Sequence, residues 1–136
     1  MSPDRPLPDS RAEYDEAFWR GAAEGRLLVQ ECADCGARQL HPRPGCRSCG
    51  SGELGWLEAE GVGEVYAHTV IRRATEHPWF ADEVPYVVAM VELPEGPSLW
   101  TTVVDCPPEA VEIGMPVEVT FEAVAEGIAL PLFRPR

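Results

Sequence analysis

The sequence predicts a mostly β chain in which one short helix leads into a small stapled ribbon and then a five-stranded barrel. Three patterns carry that expectation. A capped amphipathic stretch lies near the start. Two CxxC pairs follow, Cys32/Cys35 and Cys46/Cys49. From Gly61 onward, short apolar runs alternate with a period of two between turn residues. At 136 residues there is room for one ordinary domain, or for a small module tied to one modest core.

Residues 1–9 are polar and proline-rich, with no apolar stretch behind them, and read as a flexible tail rather than a signal peptide. Ser10-Arg11-Ala12-Glu13 has the form of a capping box, in which the serine accepts from an early helical amide and the glutamate reaches back. Tyr14, Ala17, Phe18 and Ala22 then recur at helical spacing, and Gly25 is a stop signal. The predicted helix therefore covers 10–25. It is too short to persist alone and needs a surface to lie on. Phe18 belongs to its apolar stripe and Trp19 falls beside it, so the pair either packs in the core or contacts a partner.

Residues 26–60 hold both CxxC pairs between two apolar segments, Leu27–Gln30 and Leu54–Glu58. Two thiolates two residues apart reach one ion when the backbone between them turns tightly, and the second pair completes a tetrahedron. Zinc accepts that geometry without a d-electron preference. Cys35 and Cys49 each precede a glycine, which takes the positive φ such a turn needs at no steric cost. Two disulfides are the competing reading, but in a reducing cytoplasm this spacing reads as a metal site. The structure expected is a zinc ribbon, where the metal replaces a core too small to hold itself together. With four sulfur ligands the site is closed and structural. His41 lies between the knuckles and reads as a loop residue. Cys106, without a partner, reads as a packed or partly exposed thiol.

Residues 61–136 carry five candidate strands: 63–72, 86–93, 99–104, 117–122 and 128–133. β-Branched and aromatic residues dominate them, and PEGP and GMP mark turns. Five short strands without a long helix fit the five-stranded closure of an OB-fold, while a small sandwich stays open because strand order is not legible in the pattern. A single helical turn is expected near Glu109 and Glu112. The connection from Arg73 to Pro85 is too long and polar for a hairpin, yet holds Trp79 and Phe80 side by side. That pair either caps the barrel end or offers aromatics to a ligand or partner.

Composition narrows function. A formal net charge of −12 opposes binding to a nucleic-acid backbone. The chain has no lysine, which excludes a lysine Schiff base and a P-loop lysine. GxSxG, HExxH and GxGxxG are absent, and His41, His68 and His77 are scattered. No run approaches the roughly 18 apolar residues that span a membrane. Residues 20–50 are locally basic through Arg20, Arg26, Arg38, Arg43 and Arg47. Those arginines serve solubility and structure, or form a patch for an anionic ligand or acidic partner.

The ordered stretches FWRGAAEGRLLVQECADCGARQLHPRPGCRSCGS, GVGEVYAHTVIRR, ADEVPYVVAMVELPEGP, IGMPVEV and LPLFRP resemble the domain of unknown function 35 family, a rubredoxin-like zinc ribbon plus an acyl-CoA-associated OB-fold. The resemblance covers nearly all of the chain beyond the tail, and all four cysteine positions match. It implies a cytoplasmic, non-catalytic subunit of a thiolase-superfamily enzyme. A sterol-carrier-protein-thiolase-like retro-aldolase of steroid side-chain degradation is the first choice. A degradative or biosynthetic thiolase, or a MaoC-type enoyl-CoA hydratase, is the alternative. It further implies two copies on a partner dimer, with acyl-CoA held mainly by the partner. Phe18, Trp19, Arg43, Trp79 and Phe80 are the candidate partner or ligand contacts. Two rivals from other classes are a free-standing OB-fold binding module and an enzyme using Cys106 or His68.

Overall fold

The structure, a computed structural model, describes residues 4–8, 13–74 and 77–136. Helix α1 (Glu16–Ala23) follows a turn at 13–15, with Asp15 at its N-cap making no side-chain capping bond. The capping box expected at Ser10–Glu13 lies largely outside the described residues. The helix is shorter than the predicted 10–25, and its buried face is Phe18, Gly21 and Ala22; of the expected stripe Phe18 and Ala22 are buried and Ala17 half-buried, while Tyr14 lies in the preceding turn and is exposed. The partners of the helix are β1 and the last two strands of the barrel.

The ribbon is a three-stranded antiparallel sheet in the order β2-β1-β3, with β1 Leu28–Cys32, β2 Arg38–Gln39 and β3 Leu54–Glu58. Strand β1 runs the full length of β3, from Leu28 opposite Glu58 to Cys32 opposite Leu54. That pairing delivers the first knuckle at one end of β1 and returns the chain from the second knuckle beside it.

The barrel comprises β4 (Val62–Ile71), β5 (Tyr86–Glu92), β6 (Ser98–Val103), β7 (Pro116–Ala125) and β8 (Ile128–Pro135). It closes in the order β4-β5-β6-β8-β7, with β7 returning to β4. Strands β6 and β8 run parallel, meeting at Val103 and Phe133, while the other pairs are antiparallel. This is the OB-fold arrangement, so the sandwich alternative falls away. The closure is narrow at two seams, where β4 meets β7 only over Val62–Glu64 and β6 meets β8 at the single pair Val103–Phe133. Gly63 makes the crowded β4–β5 crossing possible. A Cβ there would stand 2.7 Å from the Glu92 carbonyl oxygen and 2.6 Å from Val91 Cγ1.

Inward residues Val65, Val87, Ala89, Val91, Leu99, Val103, Val117 and Phe133 fill the barrel. The same cluster continues through Leu27, Val29 and Leu40 of the ribbon to Phe18 of α1. Helix, ribbon and barrel therefore share one core, and the ribbon is held in place by packing as well as by its strands. The segment around Trp79 contains one turn of helix, α2 (Pro78–Ala81), rather than only a loop. Pro78 starts it, and His77 Nδ1 caps it by accepting from the Trp79 amide at 3.1 Å. The turn expected near Glu109 is a 3₁₀ turn at Pro108–Ala110. Among the described residues, no helix is long and apolar enough to cross a membrane.

Candidate metal centre and the cleft beside it

The two knuckles bring Cys32, Cys35, Cys46 and Cys49 together with all four sulfurs within 4.8 Å of one another. Cys32 Sγ lies 3.7 Å from Cys49 Sγ, and Cys35 Sγ lies 3.6 Å from Cys46 Sγ. A zinc tetrahedron with Zn–S bonds of about 2.3 Å has edges of about 3.8 Å, which these two separations match. These four residues are the set that would hold zinc. The fit rests on their spacing and on an all-thiolate donor set, which suits zinc.

Local backbone chemistry builds each knuckle. Gly36 and Gly50 take φ of +77° and +80°, and their amides donate to the carbonyls of Cys32 and Cys46 at 2.9 and 2.8 Å. Other amides turn toward sulfur. Those of Cys49 and Ser48 pull the Cys46 thiol down to about 6, with Ser48 N at 3.3 Å from Cys46 Sγ. Cys32 and Cys46 are buried, whereas Cys35 and Cys49 face outward. His41 lies outside this cluster.

The segment joining the knuckles is fixed by two buried glutamines that sequence reasoning missed. Gln39 Nε2 donates to Gln30 Oε1 at 2.7 Å, and Gln30 Nε2 donates to the Arg43 carbonyl at 3.1 Å. The Arg43 amide donates back to Gln30 Oε1 at 3.0 Å, and the Arg47 amide donates to Gln39 Oε1 at 3.1 Å. Nothing in the residue types signalled this. A glutamine at an outward strand position and one buried beneath a loop look alike in sequence.

The other candidate residues separate. Phe18 is 8% exposed and belongs to the core, with Trp19 edge-on to it at 5.1 Å and half-buried. Trp79 and Phe80 sit together on α2 with centroids 5.1 Å apart, and Phe80 lies 5.8 Å from Tyr86. The Arg5 guanidinium stacks over Trp79 at 4.4 Å, so part of that ring is covered by the N-terminal segment. Arg43 lines a cleft of about 380 Å³ between ribbon and barrel, with Arg38, His41, Arg47, Met90 and Trp100. Trp100 also walls a second cavity of about 500 Å³ that includes Tyr14 and Trp19. Sequence reasoning overlooked Trp100, although a signal existed: Leu99, Thr101 and Val103 alternate inward, which turns Trp100 outward.

The two residues named in the enzyme alternative are poorly set for catalysis. Burial, helped by the Asp105 carboxylate, raises the Cys106 thiol above its ordinary range and lowers its thiolate fraction. His68 pairs with Ala89, a core residue, because the bulge between Val65 and Ala67 re-aims the strand inward. Its Nδ1 is buried without a hydrogen-bond partner among the described residues.

Comparison with known proteins agrees with this division. The ChsH2 rubredoxin-like zinc ribbon domain matches residues 19–55, and the ChsH2 C-terminal OB-fold domain matches residues 56–122. A solved structure described as the Ltp2-ChsH2(DUF35) aldolase superposes with a TM-score of 0.80 at 39% identity, covering 96% of this chain and 98% of that one. A probable enoyl-CoA hydratase alpha subunit of Thermomonospora curvata is 43% identical over 132 residues, which are 96% of this chain and 40% of the hydratase subunit. The chain thus spans less than half the length of that relative. A DUF35 domain-containing scaffold protein of Methanothermobacter thermautotrophicus is 39% identical over 101 residues, 74% of each chain. With its four-cysteine ribbon, its closed five-stranded barrel and these relatives, the chain belongs to the DUF35 family.

Proposed function

We propose that the chain is a non-catalytic subunit of a thiolase-superfamily acyl-CoA enzyme. The observation that carries this reading is its likeness, at 39% identity over 96% of its length, to a chain solved within the Ltp2-ChsH2(DUF35) aldolase. The chemistry of the chain supports it. Four sulfur ligands leave a bound metal no open position for substrate or water, so bound zinc supplies structure. Helix α1 (Glu16–Ala23), inside the segment 10–25, acts as the docking helix, 26–60 as the ribbon and 61–136 as the barrel. The partner carries the reacting groups and most of the acyl-CoA contact. Trp79 and Phe80 lie near the acyl-CoA entrance, and two copies sit on a partner dimer. A retro-aldolase cleaving a steroid side chain in the cytoplasm is the specific form of this reading.

A second reading has its own support. The chain aligns with 40% of a probable enoyl-CoA hydratase alpha subunit, so a hydratase is the alternative partner.

Affinity capture of the tagged chain from its source organism, with mass spectrometry of what co-purifies, tests both. A thiolase-like subunit is expected, and aldol cleavage of an acyl-CoA should require both proteins. Recovery of a hydratase instead favours the second reading. Turnover by the isolated chain that disappears in Cys106→Ala would overturn the non-catalytic role.

A further inference from the structure

We propose that the cleft between the ribbon and the outer face of β5–β6 is a protein docking face, with Trp100 as its apolar anchor and Arg43 and Arg47 as the groups that receive carboxylates of the partner. This rests on the subunit role proposed above and specifies which face performs it and what chemistry it selects.

The strand register assembles the face. Ala67 of β4, Met90 of β5 and Trp100 of β6 stand opposite one another in a row across three strands. Val65, Ala89, Val91 and Leu99 beside them point into the core, so this row points out. Trp100 is 56% exposed, and Tyr66, displaced by the bulge, is 61% exposed. An indole left this open on a rigid sheet is not covered by the described residues of its own chain. Two concavities, one of about 500 Å³ and one of about 380 Å³, share Trp100 in their walls, together with Leu40 and His41.

Charge identifies the occupant. Arg5, Arg20, Arg26, Arg38 and Arg134 each form an ion pair with a carboxylate of this chain. Arg43 and Arg47 form none among the described residues, nor do Arg72, Arg73 and Arg136, but of these five only Arg43 and Arg47 line the cleft beside Trp100, in a chain whose net charge is −12. The backbone of Arg43 and Arg47 is already fixed by Gln30 and Gln39, so little loop ordering remains to oppose binding. Exposed aromatics, methionine and arginine without lysine are the composition of interface cores, and tryptophan and arginine dominate their hot spots. The walls formed by Met90, Pro97 and Trp100 are apolar. They suit a carboxylate carried on an apolar segment better than a bare hydrated anion. A nucleic acid is opposed by the overall negative charge.

The test uses the thiolase-like subunit recovered by affinity capture. Trp100→Ala should weaken its binding at least about tenfold, as expected for an anchor. Arg43→Glu with Arg47→Glu should slow association and flatten its dependence on salt. Zinc content and circular dichroism of each variant report whether its fold is intact. Hydrogen exchange on the complex should slow along Ser98–Val103 and the 38–47 segment. A complex whose affinity survives both sets of substitutions, with exchange unchanged there, overturns this face while leaving the subunit role standing. Failure of the unsubstituted chain to capture any enzyme overturns both.

Discussion

Cys32 and Cys46 are buried while Cys35 and Cys49 face outward, so the centre has an inner and an outer edge. Losing an inner ligand should be the more damaging change. Cys32→Ser is expected to release bound zinc and unfold the ribbon, because metal affinities of about 10–16 kcal/mol in such sites are folding free energy. Retained stoichiometric zinc by elemental analysis would contradict that. The buried glutamines make a separate prediction. Gln39→Leu leaves the Arg47 amide without its partner and Gln30 Oε1 with only the Arg43 amide, and should cost about 1–3 kcal/mol in urea unfolding. Cys106 gives a pH-dependent test. Burial, then the Asp105 charge, raises its thiol, so the thiolate and its alkylation by iodoacetamide should develop only above the ordinary thiol range. The same sign means that deprotonation in the unfolded chain removes stability as pH rises through that range. Fast labelling near neutrality would contradict this. At this scale the metal ligands were legible, since spacing and trailing glycines define them. The glutamines were not, because their burial is decided by what folds over them.

The elements followed the sequence where hydrophobic period and turn residues agreed. Strands β4 to β8 lie where alternation placed them, and β3 matches its expected span from Leu54 to Glu58. Helix α1 keeps its predicted apolar face through Phe18 and Ala22. Two features arose from local chemistry that periodicity does not report. Pro78 and His77 wind the Trp79–Phe80 segment into one helical turn, and a bulge in β4 turns His68 inward. The β4–β5 crossing depends on Gly63. Gly63→Ala must push its Cβ against the Glu92 carbonyl, and overpacking of this kind costs about 1–3 kcal/mol. A melting temperature equal to that of the unsubstituted protein would refute the steric argument. Surface ion pairs matter less. Arg26 donates to Glu58 at 2.6 Å, but both side chains are about half exposed. Arg26→Ala should therefore leave the urea-unfolding midpoint almost unchanged.

Helix, ribbon and barrel draw on one apolar cluster, running from Phe18 through Val29 and Leu40 to Phe133. The metal centre is thus coupled to the barrel by packing. Chelation of zinc should lower the thermal stability of the barrel as well as unfolding the ribbon, and calorimetry with and without a chelator reads this directly. An unchanged barrel transition would mean that the shared cluster transmits nothing. Phe133 is completely buried where β6 meets β8, and Phe133→Ala should cost about 3–5 kcal/mol.

The sequence by itself determined the four metal ligands, the order of helix, ribbon and strands, and the absence of familiar catalytic motifs. Those features are written in short-range spacing, period and turn chemistry. Only the tertiary structure decided that the strands close in the order β4-β5-β6-β8-β7, since pairing partners lie far apart along the chain. It likewise decided that Phe18 is core while Trp100 is open, and that Arg43 and Arg47 share a cleft with that indole. Burial and charge pairing are properties of neighbours in space, and the cleft has walls only once ribbon and barrel are packed together.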